Sequence, residues 1–155
     1  MFVQLDDYDK RILELLQEDS GRTNVALAEA IGLAPATTLE RVRKLERNGV
    51  IRRYVALVDA DKVALGVMAI VDVQLASHKS RGVDGFREAV SALPEVLECY
   101  HLSGETDYLL KVLAPSLVAY ESFLLEQLTK VPNIGRVHTS FVLSTVKHET
   151  KMPVR

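Results

Sequence analysis

The 155-residue chain holds one cysteine, Cys99, so no disulfide can close within it, which fits a reducing compartment. Cys99 itself reads as a buried strand residue rather than a nucleophile. Long apolar runs are also missing. The longest, Val63 to Val71, falls well short of the roughly 20 residues that a bilayer-spanning helix needs. The stretch Met1-Phe2-Val3-Gln4-Leu5-Asp6-Asp7 lacks the basic and apolar regions of a signal peptide, so the cytoplasm is the expected location. No one sign of charge dominates. Lys and Arg number 19 against 21 Asp and Glu, a formal net charge of -2, so whole-chain electrostatics do not single out a nucleic-acid partner. There is no Gly-rich phosphate loop, no GxSxG elbow and no HExxH pair, and no carboxylate pair is arranged for catalysis. Enzymatic chemistry therefore has no positive support. What is present, 48% hydrophobic and 26% charged residues, suits one ordinary domain or two small ones.

Leu5, Tyr8, Ile12, Leu15 and Leu16 recur at helical spacing, and Asp6, Asp7 and Asp9 load the first turn, where the helix dipole favours negative charge. Thr23 or Asn24 can cap a second helix with Leu27, Ala28 and Ile31 inward, ended by Gly32. Pro35 suits a first helical position, and Leu39, Val42 and Leu45 form the inner stripe of a third helix ending near Asn48-Gly49. Two helices joined by a tight Gly-containing turn make a helix-turn-helix candidate. Val50 to Val58, rich in β-branched and aromatic residues, reads as a strand leaving that unit.

The rhythm then changes. Val67, Ala69, Val71, Val73 and Leu75 alternate as a strand, and Val83, Phe86, Val90 and Leu93 follow a helical period that Pro94 stops. Strands at Val96 to Leu102 and Tyr108 to Leu113 flank a polar loop. A helix through Leu117, Tyr120, Leu124 and Leu128 and a strand from Val137 to Val146 complete the pattern. The order is that of the ferredoxin-like fold, βαββαβ, with both helices on one face of the sheet. Met68, Ile70, Val142 and Val146 make the other face too apolar to leave wet, and dimerisation is the economical way to cover it. The expected class is thus α+β: a helix-turn-helix domain over 1-52, a strand linker over 53-65 and a ferredoxin-like domain over 66-155.

Between Arg41 and Arg53 stand six basic residues, Arg41, Arg43, Lys44, Arg47, Arg52 and Arg53, against the single acid Glu46. With Leu39, Val42 and Leu45 inward, Thr37, Glu40, Arg41 and Lys44 turn outward, where hydroxyls and cations can meet base edges and phosphates. A bare charge cluster is more often a solvated helix face. Its position on the second helix of a turn-linked pair makes DNA the better reading. Thr23 and Asn24 suit either a cap or a phosphate contact. The candidate DNA-contacting set is Thr23, Asn24, Pro35, Ala36, Thr37, Thr38, Arg41, Arg43 and Lys44.

In His101-Leu102-Ser103-Gly104-Glu105-Thr106-Asp107-Tyr108 a glycine and two carboxylates sit in a turn between apolar strands. A solvated hairpin turn accounts for Gly104 and Asp107. Equally, free loop amides could hold the carboxylate of an amino acid while Glu105 or Asp107 holds its ammonium. Cys99 and His101 lie on one side of a strand and His138 could approach them, but this spacing is much looser than paired CxxC motifs, and no metal is expected.

These residues resemble the Lrp/AsnC (feast/famine, leucine-responsive regulatory protein) transcription factors of bacteria and archaea from about Leu5 to Val146. In the first half the likeness rests on Leu5-Asp6-Asp7-Tyr8-Asp9-Lys10-Arg11-Ile12-Leu13, on Asn24-Val25-Ala26-Leu27-Ala28, and above all on Leu39-Glu40-Arg41-Val42-Arg43-Lys44-Leu45-Glu46-Arg47-Asn48-Gly49-Val50-Ile51. In the second it rests on Glu98-Cys99 and Ser103-Gly104-Glu105-Thr106-Asp107-Tyr108-Leu109-Leu110-Lys111. The resemblance implies a winged helix-turn-helix head and a ferredoxin-like domain that dimerises through its sheets and often builds octamers. It also implies an amino-acid effector, with no other cofactor, bound between dimers by His101, Ser103, Gly104, Glu105, Thr106, Asp107 and Tyr108, with Thr139 completing the pocket. Two residues depart from the pattern: Ala34, where a Ser or Thr commonly caps the recognition helix, and Glu105, where Asp is frequent. The rival readings are an enzyme similar to the sirohaem decarboxylases, which share the fold, and a ligand sensor that no longer binds DNA.

Overall fold

The computed structural model describes residues 3–154; Met1, Phe2 and Arg155, the outermost residues of the expected end domains, lie outside the described residues. Its contacts divide the chain into two compact units. One runs to Leu57 and is joined by the tail from Val146, and the other is Val58–Thr145. This differs from the expected division, because the last residues pack with the head and not with the sheet.

In the head, α1 (Asp7–Glu18) opens on a reciprocal cap. The Asp6 carboxylate accepts the Asp9 N–H at 2.9 Å, and the Asp9 carboxylate accepts the Asp6 N–H at 3.4 Å. Helix α2 (Asn24–Ile31) starts at Thr23, whose hydroxyl oxygen accepts the Ala26 N–H at 3.2 Å, and ends at Gly32 with φ 72°. Helix α3 (Pro35–Arg47) begins with proline at its first position, and Ala34 supplies no side-chain cap. The head core gathers Ile12, Leu13 and Leu45, with Ile31, Val42, Val50 and Ile51 packed around it.

The phase of α3 differs from expectation. Thr38 is 0% exposed and Leu39 is 37% exposed, so the inward stripe is Thr38, Val42 and Leu45. Burial of Thr38 is tolerated because its hydroxyl donates to the Ala34 carbonyl oxygen at 3.1 Å. Tyr8, expected inside, is exposed. Residues 52–59 form no strand. Their β-branched side chains favour strand backbone, but a strand also needs a neighbour for its N–H and C=O groups. The Tyr54 hydroxyl here donates to the Glu46 carboxylate at 2.9 Å; burial, then that bond, push its pKa up to about 12.

The tail returns to α1. The Gln17 side-chain amide donates to the Met152 carbonyl oxygen at 3.1 Å and accepts the Met152 N–H at 2.7 Å. Lys151 Nζ lies 2.6 Å from the Glu18 carboxylate, and Val154 packs against the head core.

The second unit follows the expected order: β1 (Val67–Leu75), α4 (Ser80–Ser91), β2 (Val96–His101), β3 (Tyr108–Ala114), α5 (Leu117–Glu126) and β4 (Ile134–Phe141). The four strands form one antiparallel sheet in the order β2-β3-β1-β4. Strict alternation on β1 and β3 sends Ala69, Val71, Val73, Leu110 and Val112 into the core with Phe86, Val90, Tyr120, Phe123 and Leu128 from the helical segments. Met68 and Ile70 remain half-buried on the other face. Strand β4 ends sooner than expected. Val142 makes one further backbone bond, to the Met68 carbonyl oxygen, while Val146 lies beyond the sheet and is 98% exposed.

Candidate DNA interface and effector site

On the head, Pro35, Ala36 and Thr37 stand exposed in the first turn of α3, with Glu40 and Lys44 following on the same side. Ala36, Thr37, Glu40 and Lys44, together with Asp6 and Arg41, line an open groove of about 540 Å³. The cations of this face are not equivalent. Arg41 Nη1 lies 2.7 Å from an Asp6 oxygen and 2.8 Å from an Asp9 oxygen, and its guanidinium sits over the Tyr8 ring at 5.2 Å. These carboxylates raise the arginine pKa further. Asp6 in turn is held below the ordinary carboxylate value, first by the Asp9 N–H and then by Arg41. Arg41 thus fastens the start of α1 to α3. Arg47 likewise pairs with Glu40 at 2.6 Å. Among the described residues Arg43, Lys44, Arg52 and Arg53 make no ion pair, which leaves their charge available to phosphate.

Thr23 serves as a helix cap, and the Asn24 amide donates to the Pro35 carbonyl oxygen at 2.7 Å, tying the first turns of α2 and α3 together. Thr38 corrects the expected DNA-contacting set. A fully buried hydroxyl bonded to its own helix cannot reach a base.

At the other candidate site, Asp107 organises the β2–β3 loop. The last β1–β3 pair is Val73 with Tyr108, and beyond it the Leu75 N–H donates to Asp107 Oδ2 at 2.7 Å. The carboxylate therefore continues the sheet where strand backbone ends. His78 Nε2 meets Asp107 Oδ1 at 2.7 Å. The Leu75 N–H first, and then His78, hold the Asp107 carboxyl below its ordinary pKa. Gly104 adopts φ 130°, a conformation that favours glycine. Ser103, Gly104 and Glu105 are exposed, and the Glu105 carbonyl oxygen accepts the Gln74 amide at 2.8 Å. Thr106 lines a cleft of about 190 Å³ with Asp72, Gln74, Arg136 and His138.

Of the expected effector residues, Ser103 to Asp107 lie on one loop and His101 borders it. Tyr108 is corrected to a core residue. It is buried against Phe86, its hydroxyl accepts Arg87 Nε–H at 2.8 Å, and the His101 ring stacks on it at 4.8 Å. The Thr139 hydroxyl is 2.6 Å from the Tyr120 hydroxyl on the helix-covered side of the sheet. Sequence reasoning missed His78, Gln74 and Arg136. His78 offered no signal beyond a lone histidine in a polar stretch, whereas Gln74 and Arg136 are adjacent only through the β1–β4 register.

Cys99 is exposed and not buried as expected, although partial burial still raises its thiol pKa. Cys99 and His101 pair with Leu110 and Tyr108 on the helix-covered face, whereas His138 pairs with Asp72 on the other face. The described residues contain no metal-binding cluster.

Two family models match this architecture: winged helix-turn-helix DNA-binding over residues 5–52, and the Lrp/AsnC ligand binding domain over residues 68–152. The chain belongs to the Lrp/AsnC family. Among Lrp/AsnC relatives, transcriptional regulator AzlB of Bacillus subtilis (strain 168) is 36% identical over 154 residues, 99% of this chain and 98% of AzlB. The leucine-responsive regulatory protein of Escherichia coli (strain K12) is 36% identical over 151 residues, 97% of this chain and 92% of that protein. A transcriptional regulator of Neisseria meningitidis, solved as a complex with L-Met, superposes with a TM-score of 0.92 at 37% identity, covering 97% of each chain. An AsnC family regulator from Agrobacterium tumefaciens gives 0.91 at 40% identity, covering 96% of this chain and 97% of that one. This Lrp/AsnC chain is a transcriptional regulator with a DNA-binding head and a ligand-binding domain, and not an enzyme, so the decarboxylase alternative falls. Among the described residues no helix is long and apolar enough to cross a membrane.

Proposed function

We propose that this regulator acts in the cytoplasm as a homodimer or larger assembly, binds specific DNA through α3, and is controlled by an amino acid at the Ser103–Asp107 loop. The observation that carries the effector reading is the anchored Asp107 carboxylate beside an exposed loop whose Gly104 has no side chain to shield the backbone. A fixed anion and open amides suit the two ends of a zwitterion. The L-Met complex of the Neisseria meningitidis relative supports the ligand class. For DNA, Thr37 and Lys44 on the outer face of α3, with Arg43 unpaired nearby, suit a helix that enters the major groove. Two such helices in a dimer would meet grooves about 34 Å apart. The half-apolar sheet face supports pairing of copies. Effector binding would bias one assembly over another, with a coupling of about 1–3 kcal/mol.

The test is titration of the full chain against its own upstream DNA and against random DNA at fixed salt, with and without L-methionine, L-leucine and L-glutamate. Sequence-dependent binding shifted by one amino acid is the expected result. An amino acid that binds protein without any specific DNA complex would favour a sensor without DNA binding.

A further inference from the structure

We propose that His78 is a built-in competitor for the ammonium group of the effector, so that the regulator releases its amino acid more readily as the imidazole becomes protonated. This rests on the loop reading above. Asp107 has one oxygen committed to the fold, because Oδ2 accepts the Leu75 N–H, and its other oxygen already meets His78 Nε2 at 2.7 Å. The two partners differ in freedom: the Asp107 side chain is 18% exposed and that of His78 is 72% exposed. The carboxylate is the fixed member and the ring is the member that can swing away.

The backbone beneath His78 is also fixed. The Ala76 N–H donates to the Asn133 carbonyl oxygen at 2.8 Å, and the Asn133 side-chain amide donates to the Ser77 carbonyl oxygen at 2.7 Å. Displacing His78 therefore needs only a side-chain rotation. A protonated imidazole and an ammonium at Oδ1 would be two cations against one oxygen, and each disfavours the other. The competition is strongest when the ring carries its proton, so lowering the pH should sharpen it. Of the other ionisable groups, the charge of His101 also acts on Asp107, while Glu105 and Lys79 are exposed and lie close to Asp107 and His78 in the sequence. Glu105 carries the opposite sign and favours either cation, so it does not choose between them.

The test is calorimetric titration of the full chain and of its His78→Ala and Asp107→Asn variants with L-methionine, L-leucine and L-glutamate. The amine-free counterpart of L-methionine, 4-(methylthio)butanoate, serves as control. Measurements at about pH 6 and about pH 8 bracket the imidazole range. For whichever amino acid binds, the unsubstituted chain should bind several-fold more weakly at the lower pH. His78→Ala should bind more tightly there and lose most of that pH difference, while 4-(methylthio)butanoate should be indifferent to the substitution. Equal or weaker amino-acid affinity in His78→Ala, or a pH difference that survives it, overturns the competitor role while leaving the loop site standing. An amino acid that binds equally well to Asp107→Asn, or none that binds any of the proteins, removes the loop reading itself and His78's role with it.

Discussion

The two units are held together by different means. The sheet unit surrounds Phe86, Val71, Val112, Leu110 and Leu128 with apolar neighbours from every strand and helix, and its core contains no charged group. The head has a much smaller apolar cluster around Ile12, Leu13 and Leu45, and adds to it a buried carboxylate, Asp9, a buried hydroxyl, Thr38, and a reciprocal cap. A small three-helix unit has too little interior to fix its geometry by packing alone, so polar contacts of defined direction set the angle between α1 and α3. A DNA-reading helix benefits from that, since its register depends on orientation.

The largest test of this contrast is Phe86→Ala, which should cost the sheet unit about 3–5 kcal/mol. Chemical denaturation should show the loss, while amide hydrogen exchange in α1 to α3 stays unchanged. If the head loses protection too, the units are not independent in stability. Next comes Arg41→Ala. It leaves the Asp9 carboxylate, 6% exposed, without its cation and should destabilise the head by about 1–3 kcal/mol. Specific DNA affinity should fall and amino-acid affinity should hold; unchanged head stability would mean that Arg41 serves DNA directly.

A smaller effect separates two neighbouring threonines. Thr38→Val should cost about 1 kcal/mol of stability with no change in operator preference, because its hydroxyl bonds only inside the helix. Thr37→Ala should do the reverse, lowering operator affinity in a gel-shift titration with stability unchanged. The smallest effect concerns Asp107. Its pKa is held below the ordinary 3.8, so its contribution is complete above that value and is lost as pH falls through the lowered pKa. Acid titration followed by circular dichroism should show this increment in the unsubstituted chain and not in Asp107→Asn.

How much was legible follows the range of the forces involved. Strand β1 has the limits expected from alternation alone, because a strand with one buried face writes its period into its own residues. The strand expected at Val50 to Val58 failed for the opposite reason: propensity is local, but a ladder needs a partner. In α3 a leucine was the natural inward choice, yet Thr38 takes that place, since helical phase is settled by what the neighbouring helices leave room for. The site was legible as a loop and not as a network. Ser103 to Asp107 declare a polar turn, whereas the His78–Asp107 and Arg41–Asp9 contacts join residues 29 and 32 positions apart, and no local pattern announces them.

The tail carries a practical consequence. Because the chain leaves the head at Leu57 and rejoins it at Val146, the ligand-binding unit is, in connectivity, an insert within the DNA-binding one. The tail from Val146 to Val154 is therefore part of the head. A tag, a reporter fusion or a protease nick in the tail is expected to disturb the stability of the head, where Met152, Lys151 and Val154 make their contacts.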